Sequence, residues 1–135
     1  MPAELGVRGD VRRRISRGIV NLIKDQFGRG PSNARTFINH DVITVVLEDS
    51  LTQVERTLVS HGESGTVNDV RHDSQSAFCA DAVALVERET GFRVKAFLSD
   101  HSVISDFAAE CFILDLDQPA SETDAPCEER DEQEG

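Results

Sequence analysis

The segment that most constrains the fold is Phe27-Gly28-Arg29-Gly30-Pro31. Pro31 has no backbone N–H and cannot continue a helix, and Gly28 occupies the position at which a left-handed residue commonly ends one. The segment therefore predicts a sharp turn between an N-terminal helix and the residues that follow. Two glycines expose backbone amides beside the guanidinium of Arg29, so the turn is also a candidate anion-binding site. A plain helix-to-strand turn with an exposed or salt-bridged arginine explains the same residues.

The residues before this turn predict an amphipathic helix. Apolar side chains recur at spacings of three and four, as expected for one buried helix face: Val11, Ile15, Ile19, Leu22, Ile23 and Phe27. A basic cluster projects from the other faces: Arg12, Arg13, Arg14 and Arg17. Cations near a helix N-terminus oppose the macrodipole, so this cluster does not serve helix stability. It is either a solvated face or a docking face for an anionic partner.

Charge is distributed unevenly along the chain. The net charge is −11, but residues 1–35 carry a net +5, residues 36–116 a net −9 and residues 117–135 a net −7. The overall negative sign disfavours bulk DNA or RNA binding, and the chain lacks Trp and Tyr for stacking on single strands. We therefore expect no nucleic-acid partner. The basic end could contact an acidic partner or the chain's own acidic C-terminal end.

Hydropathy gives an expectation for location. No segment approaches the roughly 20 apolar residues that span a bilayer. The N-terminus contains arginines but no apolar stretch typical of a secretory signal. We expect a cytoplasmic protein without a transmembrane segment.

Two stretches rich in β-branched residues, 34–39 and 42–48, predict a hairpin because only two polar residues separate them. Residues 92–98 and 107–116 predict a second hairpin. In the 42–48 strand both alternating sets of side chains are largely apolar. Such a strand is expected to be covered on both faces, by a helix or by a second subunit, and a homodimer is compatible with this pattern.

Helices are predicted between the two hairpins. Thr52 followed by Glu55 three residues later matches a capping box and predicts a helix start. The pattern over residues 66–90 predicts one longer helix, and Gly91 is placed to end it.

Together these elements predict an α+β fold. A four-stranded, mostly antiparallel sheet of two hairpins packs with three helices in the order α-ββ-α-α-ββ. The expected organisation is a flexible N-terminus over residues 1–9, a single domain over 10–117 and a disordered acidic tail over 118–135. The pattern does not determine the order of strands in the sheet.

The three cysteines, Cys79, Cys111 and Cys127, show no CxxC spacing. An odd, scattered set argues against a disulfide framework and against a structural zinc site. Cys79 and Cys111 are expected to be small buried apolar residues.

Two histidines, His40 and His101, each lie beside an aspartate in a connection that follows a predicted strand. No metal-ligand spacing accompanies them, so no metal site is expected. Ser99, His101 and Asp106 could be arranged as a triad on paper, but neither a nucleophile elbow nor oxyanion glycines are present. We expect no catalytic residue, no cofactor and no enzymatic activity.

The order of motifs resembles the small soluble C component of the Na+-translocating, membrane-potential-generating systems. The resemblance covers roughly residues 10–117. It rests on these positions: Gly28, Arg29, Gly30, Pro31, Asp41, Leu51, Thr52, Glu55, Arg71, Gly91 and Asp100. It implies a bacterial or archaeal cytosolic protein linked to a membrane cation-translocating or inorganic-carbon-uptake system. No catalytic residues follow from it.

Two functions are therefore expected as alternatives. The first is a non-enzymatic accessory or regulatory protein whose basic face docks on a subunit of a membrane transporter, peripheral to the inner face of the membrane. The second is a binding protein that senses a small anion or a nucleotide at the Gly28–Pro31 turn. The candidate anion- or partner-binding residues are Gly28, Arg29, Gly30, Pro31, Asp41, Arg71 and Asp100.

Overall fold

The computed structural model describes residues 8–120 and 126–127. Eight elements follow one another in these residues: α1 (Arg8–Phe27), β1 (Asn33–Asn39), β2 (Val42–Glu48), α2 (Gln53–Ser60), α3 (Ser64–Asp73), α4 (Gln75–Thr90), β3 (Phe92–Ser102) and β4 (Phe107–Pro119). None of the described helices is long and apolar enough to cross a membrane.

The four strands form one antiparallel sheet in the order β1-β2-β4-β3. Each hairpin supplies one edge strand and one central strand. The two hairpins meet where β2 pairs with β4, with Val45 opposite Glu110. The predicted α+β fold with two hairpins is confirmed, and the structure adds the strand order.

One face of the sheet carries the core. The apolar stripe of α1 and the buried side of α4 pack on alternate residues of the central strands, because successive side chains of a strand point to opposite faces. Ile15 and Ile19 of α1 and Phe112 of β4 have no exposed surface. Full burial of such side chains stabilises the fold by about 1.5–3 kcal/mol each. Gly18 lets the two helices approach, since a Cβ there would lie 2.6 Å from a methyl carbon of Leu85.

The opposite face of the sheet, which we call the open face, is not covered by any described helix. Strand alternation places Phe37, Thr44, Cys111 and Leu98 in one row across it. Phe37 and Leu98 are about half exposed, at 50% and 57%. The apolar second side of β2 therefore exists as predicted, and a covering element for it does not occur within the described residues.

The long helix predicted over residues 66–90 is two helices, so the structure has four helices where three were predicted. The break lies at Ser74, whose hydroxyl bonds to the Val70 carbonyl at 2.9 Å. The two helices bury different faces: Val67 of α3 joins a small separate cluster with Leu51 and Val103, whereas α4 packs in the main core. One straight helix could not serve both clusters.

Other boundaries differ by smaller amounts. Thr52 and Glu55 form the predicted capping box, and Gly91 ends α4 with φ 82°. β3 and β4 are longer than predicted, so the connection between them is only four residues. β4 includes two residues that were assigned to the tail, and the remaining tail lies outside the described residues except 120 and 126–127.

The expectation for the cysteines was wrong in two respects: one disulfide is present, and Cys111 is only partly buried. Cys79 on α4 is buried, as predicted, but it is bonded to Cys127 in a disulfide with Cα atoms 5.9 Å apart. Cys127 packs against the main core. The two cysteines are 48 residues apart, a spacing with no sequence signature, and Cys111 remains a free thiol on the open face.

Candidate functional site

The turn after α1 is locked by Arg29. Gly28, with φ 90°, ends the helix and its amide bonds to the Lys24 carbonyl at 2.8 Å. The Arg29 guanidinium donates to the carbonyl oxygens of Asp49 (2.9 Å) and Leu51 (2.7 Å) and pairs with the Asp49 carboxylate at 3.3 Å. A hydrogen bond from Ser32, followed by those charged contacts, lowers the pKa of Asp49. Arg29 therefore ties the turn to the residues that precede α2.

Gly30 lies close to α1. A Cβ on Gly30 would lie 3.0 Å from a methyl carbon of Val20 and 3.3 Å from the Val20 carbonyl oxygen. The second glycine of the turn thus serves helix packing in this structure. Together with Arg29 and Pro31, it fixes where β1 begins.

Asp106 fastens the β3–β4 connection to the same region. Its carboxylate accepts from the amides of Ser50 and Leu51, each at 3.2 Å, and its carbonyl accepts from the Asp49 amide at 3.0 Å. Nε2 of His101 lies 3.1 Å from the same carboxylate. Asp106 and His101 are within hydrogen-bond distance, as a Ser99–His101–Asp106 triad would require. Ser99, however, faces Glu110 in the strand register and makes no hydrogen bond to His101.

Arg71, predicted as a site residue, forms a buried ion pair with Glu55. Its Nε donates to Oε2 at 2.8 Å and its Nη2 donates to Oε1 at 2.6 Å, while Nη2 also reaches the Ser50 carbonyl at 3.0 Å. The guanidinium lies over the Phe27 ring at 3.9 Å from the centroid. Burial works to raise the pKa of Glu55, but the hydrogen bonds from Arg71 and Thr52 lower it overall. The pair joins α2 to α3.

Beside this ion pair lies a cavity of about 330 Å³, which we call the polar pocket. Arg71 and His101 line it together with Glu110, a carboxylic acid that is only 6% exposed. Oε1 of Glu110 has no hydrogen-bond partner within the described residues. Burial raises the pKa of Glu110 to about 8, against a hydrogen bond from Ser99 that lowers it.

Glu110 was not singled out from the sequence. A signal was present, because it occupies the inward side of β4 between Ala108 and Phe112, where strand alternation predicts apolar residues. An acidic residue at such a position is a candidate functional group.

The predicted basic face divides between two places. Arg12, Arg13 and Arg17 line a groove of about 670 Å³ between α1 and β1, which we call the basic groove. No acidic residue is among the described residues that line this groove. Arg14 points elsewhere and pairs with Glu89 of α4 at 2.5 Å.

Within the basic groove, Arg13 also pairs with Asp10 of the same helix. Arg12 and Arg17 take part in no ion pair within the described part of the chain. Ser16 bonds to Thr36 across the groove at 2.6 Å, which holds α1 against the edge strand β1. Two arginines are thus free to bind a partner.

Of the remaining predicted residues, Asp100 lines the polar pocket with Arg71, and Asp41 lies apart from it. Asp41 lies in the β1–β2 turn, where its carbonyl accepts from the Leu114 amide at 2.8 Å. That turn is separated from Arg29 by the length of the first hairpin, roughly 20 Å. Asp100 follows the strand alternation onto the open face, and its carboxylate accepts from the His101 amide at 2.9 Å. No cluster that could hold a metal ion occurs among the described residues.

Comparison with known proteins assigns the chain to a family. The family model described as Na+-translocating membrane potential-generating system (MpsC) matches residues 7–116, which includes every described helix and nearly all of the sheet. The chain belongs to the MpsC family. No curated protein and no solved structure matches it. The family description connects the MpsC chain with a membrane Na+ system, and the resemblance carried by the turn, the capping box and Gly91 is confirmed.

Proposed function

We propose that this protein is a non-enzymatic accessory component of a Na+-translocating membrane system and that it docks on an acidic protein surface of that system through the basic groove. The observation that carries the proposal is the convergence of Arg12, Arg13 and Arg17 on a groove without acidic lining residues, in a chain of net charge −11. Arginine's fixed charge and planar fork suit pairing with carboxylates.

An acidic protein surface fits the groove better than a lipid surface does. Membrane-surface helices insert an apolar face, but the apolar stripe of α1 is buried in the core. In addition, β1 is an edge strand, so backbone groups beside the groove could bond to a partner segment.

The Arg29 turn is not well suited to bind an anion. Its guanidinium already has three partners, and an anion would have to displace contacts with Asp49 and Leu51. The geometry therefore favours the accessory role over the alternative in which this turn senses a small anion or a nucleotide.

Cell fractionation tests the docking. We expect the full-length protein to sediment with membranes from cells that contain the system at low salt and to be released at about 1 M salt, where the Debye length is near 3 Å. Arg12→Ser with Arg17→Ser should abolish sedimentation. The matched control, Arg88→Ser on the exposed side of α4, should sediment normally.

Three outcomes would count against this function. The first is recovery of the wild-type protein only in the soluble fraction at low salt. The second is sedimentation of the double variant to the same extent as the wild type. The third is binding of the wild type to vesicles of purified anionic lipid to the same extent as to the cell membranes. The last result would assign the groove to lipid. A photo-crosslinker at position 17 that captures a membrane subunit would identify the docking partner.

A second proposal concerns self-association through the open face. Arg35 on β1, Val46, Ala109 and Asp100 on β3 share one row of the sheet. If two copies stack face to face about a two-fold axis parallel to the strands, β1 of each copy lies over β3 of the other. Arg35 then faces the partner's Asp100, and Phe37 faces the partner's Leu98. The surface is therefore complementary to itself.

Sedimentation equilibrium and crosslinking test the dimer. Stacked sheets lie about 10 Å apart and neighbouring strands about 4.8 Å apart, which places the two Cys111 Cα atoms about 11 Å from each other. We expect a short bis-maleimide to join them and Phe37→Asp to shift the protein to monomer. A monomer at every concentration tested, or no crosslink at Cys111, would exclude this arrangement.

A further inference from the structure

The polar pocket contains a buried acid without a partner. Glu110 projects from β4 between Ala108 and Phe112 and is 6% exposed. Its Oε1 is buried and has no hydrogen-bond partner within the described residues, and the residue lines a cavity of about 330 Å³. A buried polar atom without a partner costs about 1–3 kcal/mol, a cost that a ligand with a hydrogen-bond donor could remove.

The charged groups around Glu110 come from two elements. The titratable groups that line the pocket with it are Asp69, Arg71 and His72 of α3 and Asp100 and His101 of β3. α1 contributes Gln26, α4 contributes Gln75, and β2 contributes Leu47, none of which is charged. The sole arginine of this lining is committed to Glu55 by two hydrogen bonds.

These groups exclude two ligand classes. A carboxylate or phosphate would lack a free cation, because Arg71 is paired with Glu55 and stacked on Phe27. A divalent metal ion needs several oxygen or nitrogen ligands, and no group of three suitable side chains occurs in the described part of the chain. The remaining ligand class is a monovalent cation, which a single carboxylate can bind.

The pocket walls select the rest of the ligand. Apolar side chains line the same pocket as the acid: Ile23, Phe27, Leu47 and Phe78. Because the Phe27 ring already holds the Arg71 guanidinium, these walls suit the hydrocarbon part of a ligand. We propose that the polar pocket binds a small organic cation, a primary ammonium on an apolar body, whose ammonium group pairs with the carboxylate of Glu110.

Binding exchanges a proton for the ligand. Burial raises the pKa of Glu110 to about 8, so the acid is mostly protonated at pH 7. The ammonium stabilises the carboxylate form, the O–H bond of Glu110 breaks, and the proton passes to the buffer. Close to one proton is released for each cation bound at pH 7, and fewer are released as the pH rises past 8.

Calorimetry with benzylammonium tests the site. We expect saturable binding to the full-length protein, with a heat that depends on the ionisation enthalpy of the buffer as proton release requires. Glu110→Gln keeps the shape of the side chain but removes its charge. It should weaken binding about 10- to 100-fold and abolish proton release. Glu63→Gln, an exposed glutamate at the start of α3, is the matched control and should bind normally.

A second variant and two isosteres keep the test decisive. Asn68→Trp places a large side chain at the pocket lining from an exposed position of α3 and should block binding without any change at Glu110. Benzyl alcohol and benzoate should bind at least about 10-fold more weakly than benzylammonium. Equal affinity for benzyl alcohol, unchanged binding by Glu110→Gln, or no binding of benzylammonium would overturn the proposal.

Discussion

At the scale of single residues, the protonation state of Glu110 affects the stability of the fold. A carboxyl that is 6% exposed beside a cavity prefers its neutral form, since burial disfavours charge more than the nearby Arg71 favours it. The ordinary pKa of a glutamate applies once the chain unfolds. Glu110 therefore links folding to pH in the opposite direction from most carboxylates.

Replacement of Glu110 by glutamine should make stability less sensitive to pH. The pKa of the wild-type group is about 8 in the folded protein and about 4.5 in the unfolded chain, so its stability contribution is full below pH 4.5 and is lost as the pH rises to about 8. Relative to the wild type, Glu110→Gln should gain a few kcal/mol over this range. Urea titrations at pH 5, 7 and 8.5 measure it. A pH-independent difference would contradict the buried neutral acid.

Arg29 acts on stability through two backbone carbonyls. Arg29→Ala should cost about 1–3 kcal/mol, because it leaves the carbonyls of Asp49 and Leu51 without their donor. Arg29→Lys should recover only part of the loss, since an ammonium cannot reproduce the planar fork. Thermal unfolding measures both, with Arg88→Ala as the exposed control. A loss below 0.5 kcal/mol in Arg29→Ala would show that the turn holds without the arginine.

At the level of elements, the sequence predicted what local chemistry determines. The Gly28 helix end, the Thr52 capping box and the Gly91 stop each depend on a few adjacent residues. The break at Ser74 was not predictable, because it follows from which cluster each half of the segment buries. The partners of Arg29 were also hidden, since they lie 20 or more positions away in the sequence.

The same reasoning explains the candidate sites. Arg12, Arg13 and Arg17 could be grouped from helical spacing alone, and the structure places them in one groove. Arg14 left that group because α4 offers Glu89 as a partner, which no local pattern reveals. Asp41 and Asp100 were joined to Arg29 only through the family motif set; Asp41 lies in the β1–β2 turn, and Asp100 lines the polar pocket.

The contact between α2 and α3 depends on one ion pair. Arg71 and Glu55 are 11% and 9% exposed in their side chains, so removal of either partner leaves a buried charge. Arg71→Met or Glu55→Gln alone should each cost about 3–5 kcal/mol, and the double variant should cost less than the sum. A double-mutant cycle by urea unfolding measures the coupling. Additive losses would show that the two helices do not depend on the pair.

Over the whole molecule, the disulfide connects the C-terminal segment to the core. Cys79 and Cys127 are separated by 48 positions in the sequence. A disulfide that closes a loop of this length lowers the entropy of the unfolded chain and stabilises the fold by up to about 4 kcal/mol. Cys127→Ser, or a reducing agent, should lower the melting temperature measured by calorimetry. Cys111→Ser should not, since that thiol is free. Equal melting of the oxidised and reduced protein would show that the bond adds nothing.

The disulfide also bears on location. Disulfides are uncommon in cytosolic proteins, so the Cys79–Cys127 bond argues against the expected cytoplasmic location. That location stays a prediction. Rapid thiol trapping in intact cells, followed by mass spectrometry, would report whether Cys79 and Cys127 are oxidised there. Reduced thiols throughout would fit the cytosol.

The strand order has a consequence for how the chain reaches this structure. Each hairpin pairs residues close in sequence and can form early, whereas β2 and β4 pair residues more than 50 positions apart and must close a long loop. The polar pocket takes Leu47 from the first hairpin and Glu110 from the second. The pocket therefore forms only after the two hairpins have paired. A ligand bound there would stabilise the paired state and slow its opening.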